Sequence, residues 1–431
     1  MPEDDLPDYR TDRSGWVPGG APLRVVRART VDDVRNTLAA AHRDGTPVVT
    51  RGAGTGLAGA ASAGSGTIVL DVSGLDRILH LDPVDAIARV EPGVITADLD
   101  RAAAAHGLFF APDPGSVAIC TVGGNIATNA GGLRATRYGV TRDSVLALDV
   151  VLADGRLIRV GRQTVKGVAG LDLTALIVGS EGTLGVVVGA TLRLLPRPRQ
   201  VATAAAYFAT VADAAKASIA LAAGGLRPSV VELVDGRTLA AIDALRGTAH
   251  AGTGDAFLLV QADGFGAAEE IDAVAGVLGR TATSVRTTLD PDTAAALAAA
   301  RRDALPAIEA KGPVLIEDIA VPRSRLGEAF DEVHRIAAET GTDIHVFAHA
   351  ADGNLHPIIR TGDDPAAAHR AADRIFALAL DLGGTVAAEH GVGALKRSWM
   401  ERELGPDVLA LQRRIKEIFD PTGILNPGKA L

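Results

Sequence analysis

The chain contains two groups of residues whose types and spacing suit them to chemistry. The first is the run from Arg51 to Gly59, which carries four glycines. Glycine backbone can approach a phosphate closely because no Cβ atom intervenes. The second group comprises His349, His356 and the adjacent pair Glu389 and His390. Imidazole and carboxylate groups bind divalent metals, and imidazole also accepts protons near neutral pH. A cofactor loop together with a metal-and-base cluster predicts a redox enzyme.

The glycine run contains the literal pattern G-x-G-x-x-G at residues 54–59. In a dinucleotide-binding Rossmann fold this pattern opens a helix. Residues 60–66 include two further glycines and are typical of a loop, which argues against an NAD site. An ordinary turn is also disfavoured, because ordering so many glycines costs conformational entropy. We therefore predict a loop whose backbone amides surround a pyrophosphate.

Two further segments are rich in small residues. Residues 113–132 include the runs Asp113-Pro114-Gly115-Ser116 and Gly123-Gly124-Asn125, and residues 179–185 read Gly-Ser-Glu-Gly-Thr-Leu-Gly. Such segments let a large flat group lie against backbone. Three of them within the first 200 residues imply a long cofactor that extends along one domain.

The histidines lie on a predicted hairpin. Residues 345–349 are typical of a strand, residues 352–354 of a turn, and residues 355–359 of the returning strand. Such a hairpin can bring His349 and His356 within reach of one metal. A single histidine is more often an unrelated core or surface residue, but four of the ten histidines fall at positions 345–356 and 390. His345 is expected to be structural.

The remaining elements predict two domains. Strands are expected at residues 23–26, 47–50, 67–72, 86–90, 144–152, 156–160, 186–195, 204–208, 257–261, 314–321 and 344–348, and helices after the N-cap Thr30 and at residues 95–106 and 407–419. The prolines in residues 194–199 break both helix and strand and predict a boundary. The domains are predicted as residues 1–197 and 198–431, the second of the α+β class with helices on one face of its sheet.

Composition narrows the class of protein further. The chain has 431 residues, 47% apolar residues and a formal net charge of −9, which argues against nucleic acid as the main partner. The single cysteine, Cys120, excludes an intrachain disulfide and is expected to be a packing residue. No signal peptide or membrane-spanning run is found, which favours a cytoplasmic protein and leaves peripheral membrane attachment through a partner open.

The three glycine-rich segments closely resemble the FAD domain of the vanillyl-alcohol-oxidase-type flavoproteins. The closest resemblance is to the branch with the glycolate oxidase catalytic subunit, D-lactate dehydrogenase and D-2-hydroxyglutarate dehydrogenase. Residues 349–357 are similar to its H-A-G-D-G-N-x-H-P motif, with Ala351 in place of a glycine, and residues 389–391 and 419–429 match two more signatures. The resemblance implies a PCMH-type FAD-binding domain, then an α+β cap domain with an antiparallel sheet and a C-terminal helical segment.

The resemblance also implies which residues bind FAD. In this sequence they are Arg51, Gly52, Ala53, Gly54, Thr55, Gly56, Pro114, Gly115, Ser116, Gly123, Gly124, Asn125, Thr128, Glu181, Gly182, Val186 and Asn426. Some relatives attach FAD covalently through a histidine in the first loop. Thr55 occupies that place here, so the FAD is expected to be non-covalent.

The same resemblance implies the catalytic set. His349, His356 and Glu389 correspond to metal ligands, and two nitrogens with one carboxylate suit zinc or manganese. His390 corresponds to the base beside the flavin. Arg301 best matches the arginine that binds the substrate carboxylate, with Arg302 as the alternative. Glu317 and Asp318 have no assigned role beyond contacts that support these residues.

The implied activity is FAD-dependent oxidation of a small D-2-hydroxy acid to the 2-keto acid by metal-assisted hydride transfer to flavin. Leu305, Ile316 and Ile358 stand where hydroxyglutarate-type enzymes carry polar residues, which favours D-lactate or glycolate. D-2-hydroxyglutarate oxidation, and a flavin-binding subunit of a glycolate oxidase complex, are the main alternatives. A transferase similar to alkyl-dihydroxyacetone-phosphate synthase and an NAD-linked dehydrogenase are disfavoured. Reoxidation requires an acceptor such as a quinone, a cytochrome, an electron-transfer flavoprotein, oxygen or a partner subunit, and a homodimer is compatible with the sequence.

Overall fold

The computed structural model describes residues 9–164, 166–362 and 364–431, and the chain divides into two compact units. Unit 1 comprises Met1–Gly132, Gly139–Arg197 and Glu389–Leu431, and unit 2 comprises Leu133–Tyr138 and Pro198–Ala388. The C-terminal segment therefore belongs to unit 1, whereas the sequence analysis assigns it to the second domain. One reason is that Leu425 forms a parallel bridge with Val48 and is buried in the core of unit 1. The predicted domain division stays a prediction.

The elements up to residue 197 alternate strands with short helices. The strands are β1 (Arg24–Arg27), β2 (Val48–Arg51), β3 (Ile68–Asp71), β4 (Ile78–Asp82), β5 (Ile87–Val90), β6 (Leu108–Phe109), β7 (Val145–Val151), β8 (Leu157–Gly161), β9 (Val186–Arg193) and β10 (Leu195–Pro196). The helices are α1 (Val31–Asp44), α2 (Thr96–Ala104), α3 (Val122–Thr128), α4 (Ala135–Tyr138), α5 (Thr141–Ser144) and α6 (Leu173–Ile177).

The second half contains longer strands and helices. The strands are β11 (Val201–Phe208), β12 (Val230–Asp235), β13 (Ala256–Asp263), β14 (Ser284–Thr288), β15 (Val314–Ile316), β16 (Ile319–Ala320), β17 (Ile344–His349) and β18 (Asn354–Arg360). The helices are α7 (Val211–Ala223), α8 (Gly236–Arg246), α9 (Ala267–Leu278), α10 (Pro291–Leu297), α11 (Ala299–Glu309), α12 (Leu326–Thr340), α13 (Pro365–Asp381), α14 (Met400–Leu404) and α15 (Pro406–Phe419). Short 3-10 helices occur at Arg323–Arg325 and Arg397–Trp399. Among the described residues, no helix combines the length and the apolar character needed to cross a membrane.

Unit 1 contains a parallel sheet of order β1-β3-β2 and an antiparallel sheet of order β4-β5-β9-β7-β8. Thr30 caps α1 as predicted, because its hydroxyl accepts from the Asp33 amide and the Asp33 carboxylate accepts from the Thr30 amide. These reciprocal bonds satisfy two backbone donors at the helix start. The parallel sheet ends at Arg51, where the glycine loop begins.

Unit 2 is built on an antiparallel sheet of order β14-β11-β13-β12-β17-β18-β15, and β16 also pairs with β18. Helices α8 and α11 pack on the face that carries Val234, Phe347 and Ile358. The residues that alternate with these, such as Leu233 and Ala348, are also buried, and α7 contacts β12, α12 contacts β17 and α9 contacts β11 and β13. The expectation of helices on one face is therefore wrong, because both faces of the strands are apolar and need cover.

Two local expectations need correction, and one helix was not anticipated. The strand expected at residues 314–321 is interrupted, because Glu317 and Asp318 separate β15 from β16. The second glycine-rich segment contains the helix α3, which begins after the N-cap Thr121. Pro196 does not end the strand region, because it belongs to β10, which pairs with β6. Proline is tolerated in an edge strand, where its missing amide proton leaves no sheet hydrogen bond unmade.

Candidate functional site

The histidine pair, His349 and His356, is held by the β17–β18 hairpin of unit 2. The strand register places His349 opposite Asn354 and Phe347 opposite His356, so all four side chains share one face of the sheet. Both imidazoles are buried, their ring centroids are 5.0 Å apart, and each offers a ring nitrogen within 4.8 Å of the other. Two buried imidazoles at this separation can bind one metal ion together.

The turn of this hairpin requires a glycine. Gly353 has φ +76°, and a Cβ atom there would lie 2.1 Å from the carbonyl oxygen of Val321. A side chain would therefore strain the backbone and push the hairpin away from β16. Asn354, which follows, is buried, and both polar atoms of its side chain have no hydrogen-bond partner among the described residues.

Glu232 was not identified from the sequence and lies at the centre of this face. It is on β12 directly opposite His349, and it is 0% exposed. Its Oε1 atom lies 2.6 Å from the His349 Nδ1 atom. A carboxylate only accepts hydrogen bonds, so His349 Nδ1 carries the proton and Nε2 is left as a metal ligand. The signal that could have found it is the single carboxylate, Glu232, among the apolar residues 230–234.

Arg301 reaches the same carboxylate from α11. Its Nε atom donates to Glu232 Oε2 at 2.6 Å, and its guanidinium carbon lies 4.3 Å from the centroid of the Phe347 ring. Its terminal nitrogens form no hydrogen bond within the described part of the protein, and the side chain is 16% exposed. Arg302 instead donates to the Ala295 carbonyl and is exposed. Of the two arginines, only Arg301 lies beside the histidine pair.

Asp318 holds the chain just before Glu389. Asp318 is fully buried, its Oδ1 atom lies 3.9 Å from His356 Nδ1, and its Oδ2 atom accepts from the Ala388 amide at 2.8 Å. Ala388 is the last residue of unit 2, and Glu389 follows it directly. Glu317 uses its amide to bond the Pro357 carbonyl at 3.0 Å. The segment that separates β15 from β16 therefore carries the Asp318 carboxylate that bonds the Ala388 amide.

Glu389 and His390 begin the last segment of unit 1. Glu389 Oε1 accepts from the Gly132 amide at 3.0 Å, and a Cβ atom on Gly131 would lie 2.3 Å from that oxygen. The next residues are anchored by Glu181, whose two oxygens accept from the Val392 and Gly393 amides at 2.8 Å each. Burial raises the pKa of Glu181, while these bonds act in the opposite direction. Glu181 therefore supports the loop after His390 through its side chain.

The glycine loop of unit 1 is compact and contains no helix between residues 52 and 66. Gly54 has φ +69°, and a Cβ atom there would lie 2.1 Å from Arg51 Nη2. Arg51 Nη1 donates to the Thr11 carbonyl at 2.8 Å. A Cβ atom on Gly52 would lie 2.4 Å from Thr121 Oγ1. The first and second glycine-rich segments thus approach each other at Gly52, and at Gly54 the positive φ favours glycine.

A cavity of about 290 Å³ opens beside this loop in unit 1. Its lining includes Ala53, Gly93 and Thr121. Thr55 and Gly56 are half-buried in the same loop. The cavity meets the loop where the sequence predicts that a cofactor would lie.

The second and third small-residue segments have internal roles as well. In α3, the Asn125 side chain donates to Thr96 Oγ1 at 2.8 Å, and Thr128 Oγ1 donates to the Gly124 carbonyl at 3.2 Å. A Cβ atom on Gly123 would lie 2.5 Å from the Pro92 side chain. Close packing thus requires glycine at position 123. The other predicted residues lie as follows: Pro114, Gly115 and Ser116 in the turn before α3, Gly182 in a turn with φ +73°, and Val186 at the start of β9.

Two C-terminal residues, Asn426 and Lys429, bond the backbone at the end of the glycine loop. Asn426 Nδ2 donates to the carbonyls of Glu181 at 2.7 Å and Ala60 at 3.1 Å. Lys429, which was also missed from sequence, donates to the carbonyls of Ala60 at 3.0 Å and of Ser62. Burial lowers the pKa of Lys429 to about 8. The last residues of the chain therefore position the loop that begins at Arg51.

Comparisons with known proteins agree with this arrangement. Residues 22–161 match the family described as FAD binding domain, and residues 197–430 match FAD linked oxidases, C-terminal domain. The chain is 39% identical to glycolate oxidase subunit GlcD of Bacillus subtilis over 416 residues, which cover 95% of this chain and 88% of that protein. It is 37% identical to a D-lactate dehydrogenase of Archaeoglobus fulgidus over 411 residues, which cover 94% and 91%. A crystal structure of p-cresol methylhydroxylase with substrate bound shares the fold, with a TM-score of 0.78, 19% identity and coverage of 99% and 92%.

Proposed function

The chain belongs to the family of FAD-linked oxidases, and from that premise we propose that it oxidises a small D-2-hydroxy acid to the 2-keto acid, with D-lactate or glycolate preferred. The observation that carries this proposal is the cluster of Arg301, Glu232 and His349 on one face of the unit 2 sheet. It combines a carboxylate-binding group with a metal-binding group, as oxidation of a hydroxy acid needs. The two relatives named for glycolate and D-lactate support the choice of substrate.

FAD is the cofactor of this family, and the residues of unit 1 fit it. The glycine loop with its positive-φ Gly54 and the cavity beside Ala53 suit a pyrophosphate and its attached groups. We infer that the FAD-binding residues are those named from the sequence, from Arg51 to Asn426. When bound, FAD would accept two electrons and the Cα hydrogen of the substrate. Thr55 supplies no side chain for a covalent link.

A divalent metal fits the donor set of His349, His356 and Glu389. Two nitrogens and one carboxylate suit Zn²⁺ or Mn²⁺. The metal would polarise the substrate hydroxyl group.

The protein's own residues would bind and orient the substrate. Arg301 keeps its Nε atom on Glu232 and has its terminal nitrogens left to grip the carboxylate of the hydroxy acid. His390, two residues after Ala388, would accept the hydroxyl proton. A carboxylate held by a planar guanidinium restricts how the Cα–H bond of the substrate can be oriented.

The apolar residues near Arg301 favour a short substrate. Ile358 is fully buried, and Leu305 and Ile316 pack against the same cluster. A second carboxylate beside these side chains would be left without a hydrogen-bond partner, which costs free energy. We therefore rank D-lactate and glycolate above D-2-hydroxyglutarate.

The electron acceptor is a separate question. Because a similar protein is named as a glycolate oxidase subunit, a partner subunit is a candidate acceptor, as are a quinone, a cytochrome and an electron-transfer flavoprotein.

The direct test is anaerobic reduction of the flavin. The purified protein is mixed with D-lactate, L-lactate, glycolate or D-2-hydroxyglutarate, and the flavin absorbance is followed. We expect rapid bleaching by D-lactate or glycolate, loss of bleaching after treatment with a chelator, and recovery with Zn²⁺ or Mn²⁺. A flavin that none of these acids bleaches, even with added metal, would refute the proposal.

A further inference from the structure

We propose that Glu232 is a positioning residue that couples the metal ligand His349 to the substrate-binding Arg301. The inference rests on the proposed function and assigns a role to a residue outside the set that the sequence motifs contain. One Glu232 oxygen lies 2.6 Å from His349 Nδ1, and the other lies 2.6 Å from Arg301 Nε. A single rigid carboxylate thus fixes the orientation of both side chains.

The backbone explains why Glu232 can reach both partners. Glu232 on β12 is the register partner of His349 on β17, and directly opposite residues of antiparallel strands are nearest neighbours. Helix α11 packs on the same face of the sheet and contacts β12, which brings the Arg301 side chain to Glu232. The partners are 69 and 117 residues away in sequence.

A purely structural ion pair would be an alternative use of this carboxylate. Two observations point away from it. The Arg301 Nε atom donates to Glu232, and within the described residues the terminal nitrogens of its guanidinium form no hydrogen bond. Glu232 therefore orients the arginine and leaves it donors for a ligand. His349 donates to Glu232 from Nδ1, and in the neutral imidazole this tautomer leaves Nε2 as the nitrogen that can bind a metal. Both partners of Glu232 are therefore left with one functional end.

Substitution of Glu232 by Gln gives a sharp test because the amide has nearly the same shape. Both partners are donors, and an amide has only one acceptor oxygen. If the amide oxygen faces His349, the amide NH₂ group opposes Arg301. If the NH₂ group faces His349, the imidazole must carry its proton on Nε2, which blocks that nitrogen as a ligand. Either orientation removes one of the two functions.

The first measurement is the affinity of the FAD-containing protein for Mn²⁺ and for Zn²⁺, by competition with a chromophoric chelator. We expect E232Q to bind the metals about 10- to 100-fold more weakly than the wild type. The matched control is D235N, on the same strand. Asp235 is also fully buried and bonds a histidine, since His334 Nε2 lies 2.8 Å from its carboxylate, but that histidine lies outside the proposed site. D235N is expected to lower stability and to retain wild-type metal affinity.

The second measurement separates the Arg301 contact from the His349 contact. With the hydroxy acid that bleaches the wild-type flavin, R301K is expected to raise KM, and E232Q is expected to raise KM and to lower the metal affinity. The changes in KM are converted to free energies and compared. The change in the double variant E232Q/R301K should be smaller than the sum of the changes in the two single variants, because both substitutions act through one contact. Additive effects would contradict coupling through Glu232.

The outcomes are separable from those of the proposed function. A wild-type flavin that a hydroxy acid bleaches, together with equal metal affinity in wild type and E232Q, overturns this inference alone. Loss of metal affinity in E232Q without bleaching by any acid overturns the proposed oxidation alone. If E232Q does not fold with bound flavin, E232D replaces it, since its shorter side chain keeps the charge and cannot span both partners. Wild-type metal affinity and KM in E232D would overturn the inference.

Discussion

The Asp318 carboxylate accepts a 2.8 Å hydrogen bond from the backbone amide of Ala388. This bond ties the end of unit 2 to the segment between β15 and β16, two strands that both pair with β18. The Nδ1 atom of His356, on β18, is 3.9 Å from the same carboxylate. Asp318 interrupts an otherwise apolar strand region and is fully buried, so its retention there needs such partners.

We predict that D318A weakens Mn²⁺ and Zn²⁺ binding about tenfold or more, because the peptide before Glu389 loses its anchor. The free energy of unfolding should fall by roughly 1–3 kcal/mol, since a backbone donor loses its acceptor. Chelator competition and chemical denaturation measure the two effects. D318N is the matched variant, because its amide oxygen can still accept from Ala388, and it should lie between D318A and the wild type. Equal metal affinity in D318A and the wild type would contradict this role.

The two neighbouring arginines should differ in function. R301K removes the planar donor pair and is expected to lower kcat/KM for the hydroxy acid by about 10- to 100-fold, mainly through KM. R302K should stay near the wild-type value, because Arg302 is exposed and donates to the Ala295 carbonyl of the preceding helix, α10. Steady-state kinetics with an artificial electron acceptor test both. A larger loss in R302K than in R301K would reverse the assignment of the substrate carboxylate.

The hairpin turn should be sensitive to one methyl group. In G353A the added Cβ atom would lie 2.1 Å from the carbonyl oxygen of Val321, the residue after β16. We expect the substitution to lower the free energy of unfolding by roughly 3 kcal/mol and to weaken metal binding. G341A is the control, since Gly341 has φ +67° and no atom within 4 Å of the added carbon. It should cost about 1 kcal/mol from the backbone conformation alone and leave metal affinity unchanged.

Lys429 should give the stability of unit 1 a specific pH dependence. Its pKa is lowered from 10.5 to about 8 by burial, so between these values the unfolded chain holds more protons than the folded one. The free energy of unfolding should therefore rise with pH across this window, relative to K429M. Denaturation of the flavin-free protein at several pH values measures it, with K216M on the exposed side of α7 as control. If the difference in unfolding free energy between the wild type and K429M did not change with pH, the lowered pKa of Lys429 could not be its cause.

The same substitution tests the clamp on the glycine loop. K429M removes the donor to the carbonyls of Ala60 and Ser62, so we expect faster loss of FAD on dilution or dialysis. K216M should retain FAD like the wild type. Unchanged retention in K429M would mean that Asn426 holds Ala60 without help from the lysine.

Several elements were readable from local sequence because their causes are local. The N-cap Thr30, the neighbouring strands β7 and β8 and the hairpin that carries the histidine pair all formed as expected. The absence of a helix after the glycine loop was also predicted correctly. Each depends on residues within a few positions of one another, so turn chemistry and strand alternation suffice to indicate them.

Other features could not be read from local patterns. The cover of both sheet faces in unit 2 depends on where distant helices pack, and the helix α3 formed in a glycine-rich run because Thr121 caps it and Pro92 packs against Gly123. Lys429 and Glu232 are buried charges whose partners are remote in the chain. A charged residue within an apolar strand was the only sign of Glu232 in the sequence.

The amino-acid sequence by itself determined the chemical groups: the glycines of the cofactor loop, the two histidines on one hairpin, the Glu389-His390 pair and two candidate arginines. Only the tertiary structure placed Arg301, and not Arg302, beside the histidine pair and joined Arg301 to His349 through Glu232. The physical reason is that the pairing of β12 with β17 and the packing of α11 are set by burial of apolar faces far apart in sequence. No local pattern encodes which carboxylate such packing brings between two donors.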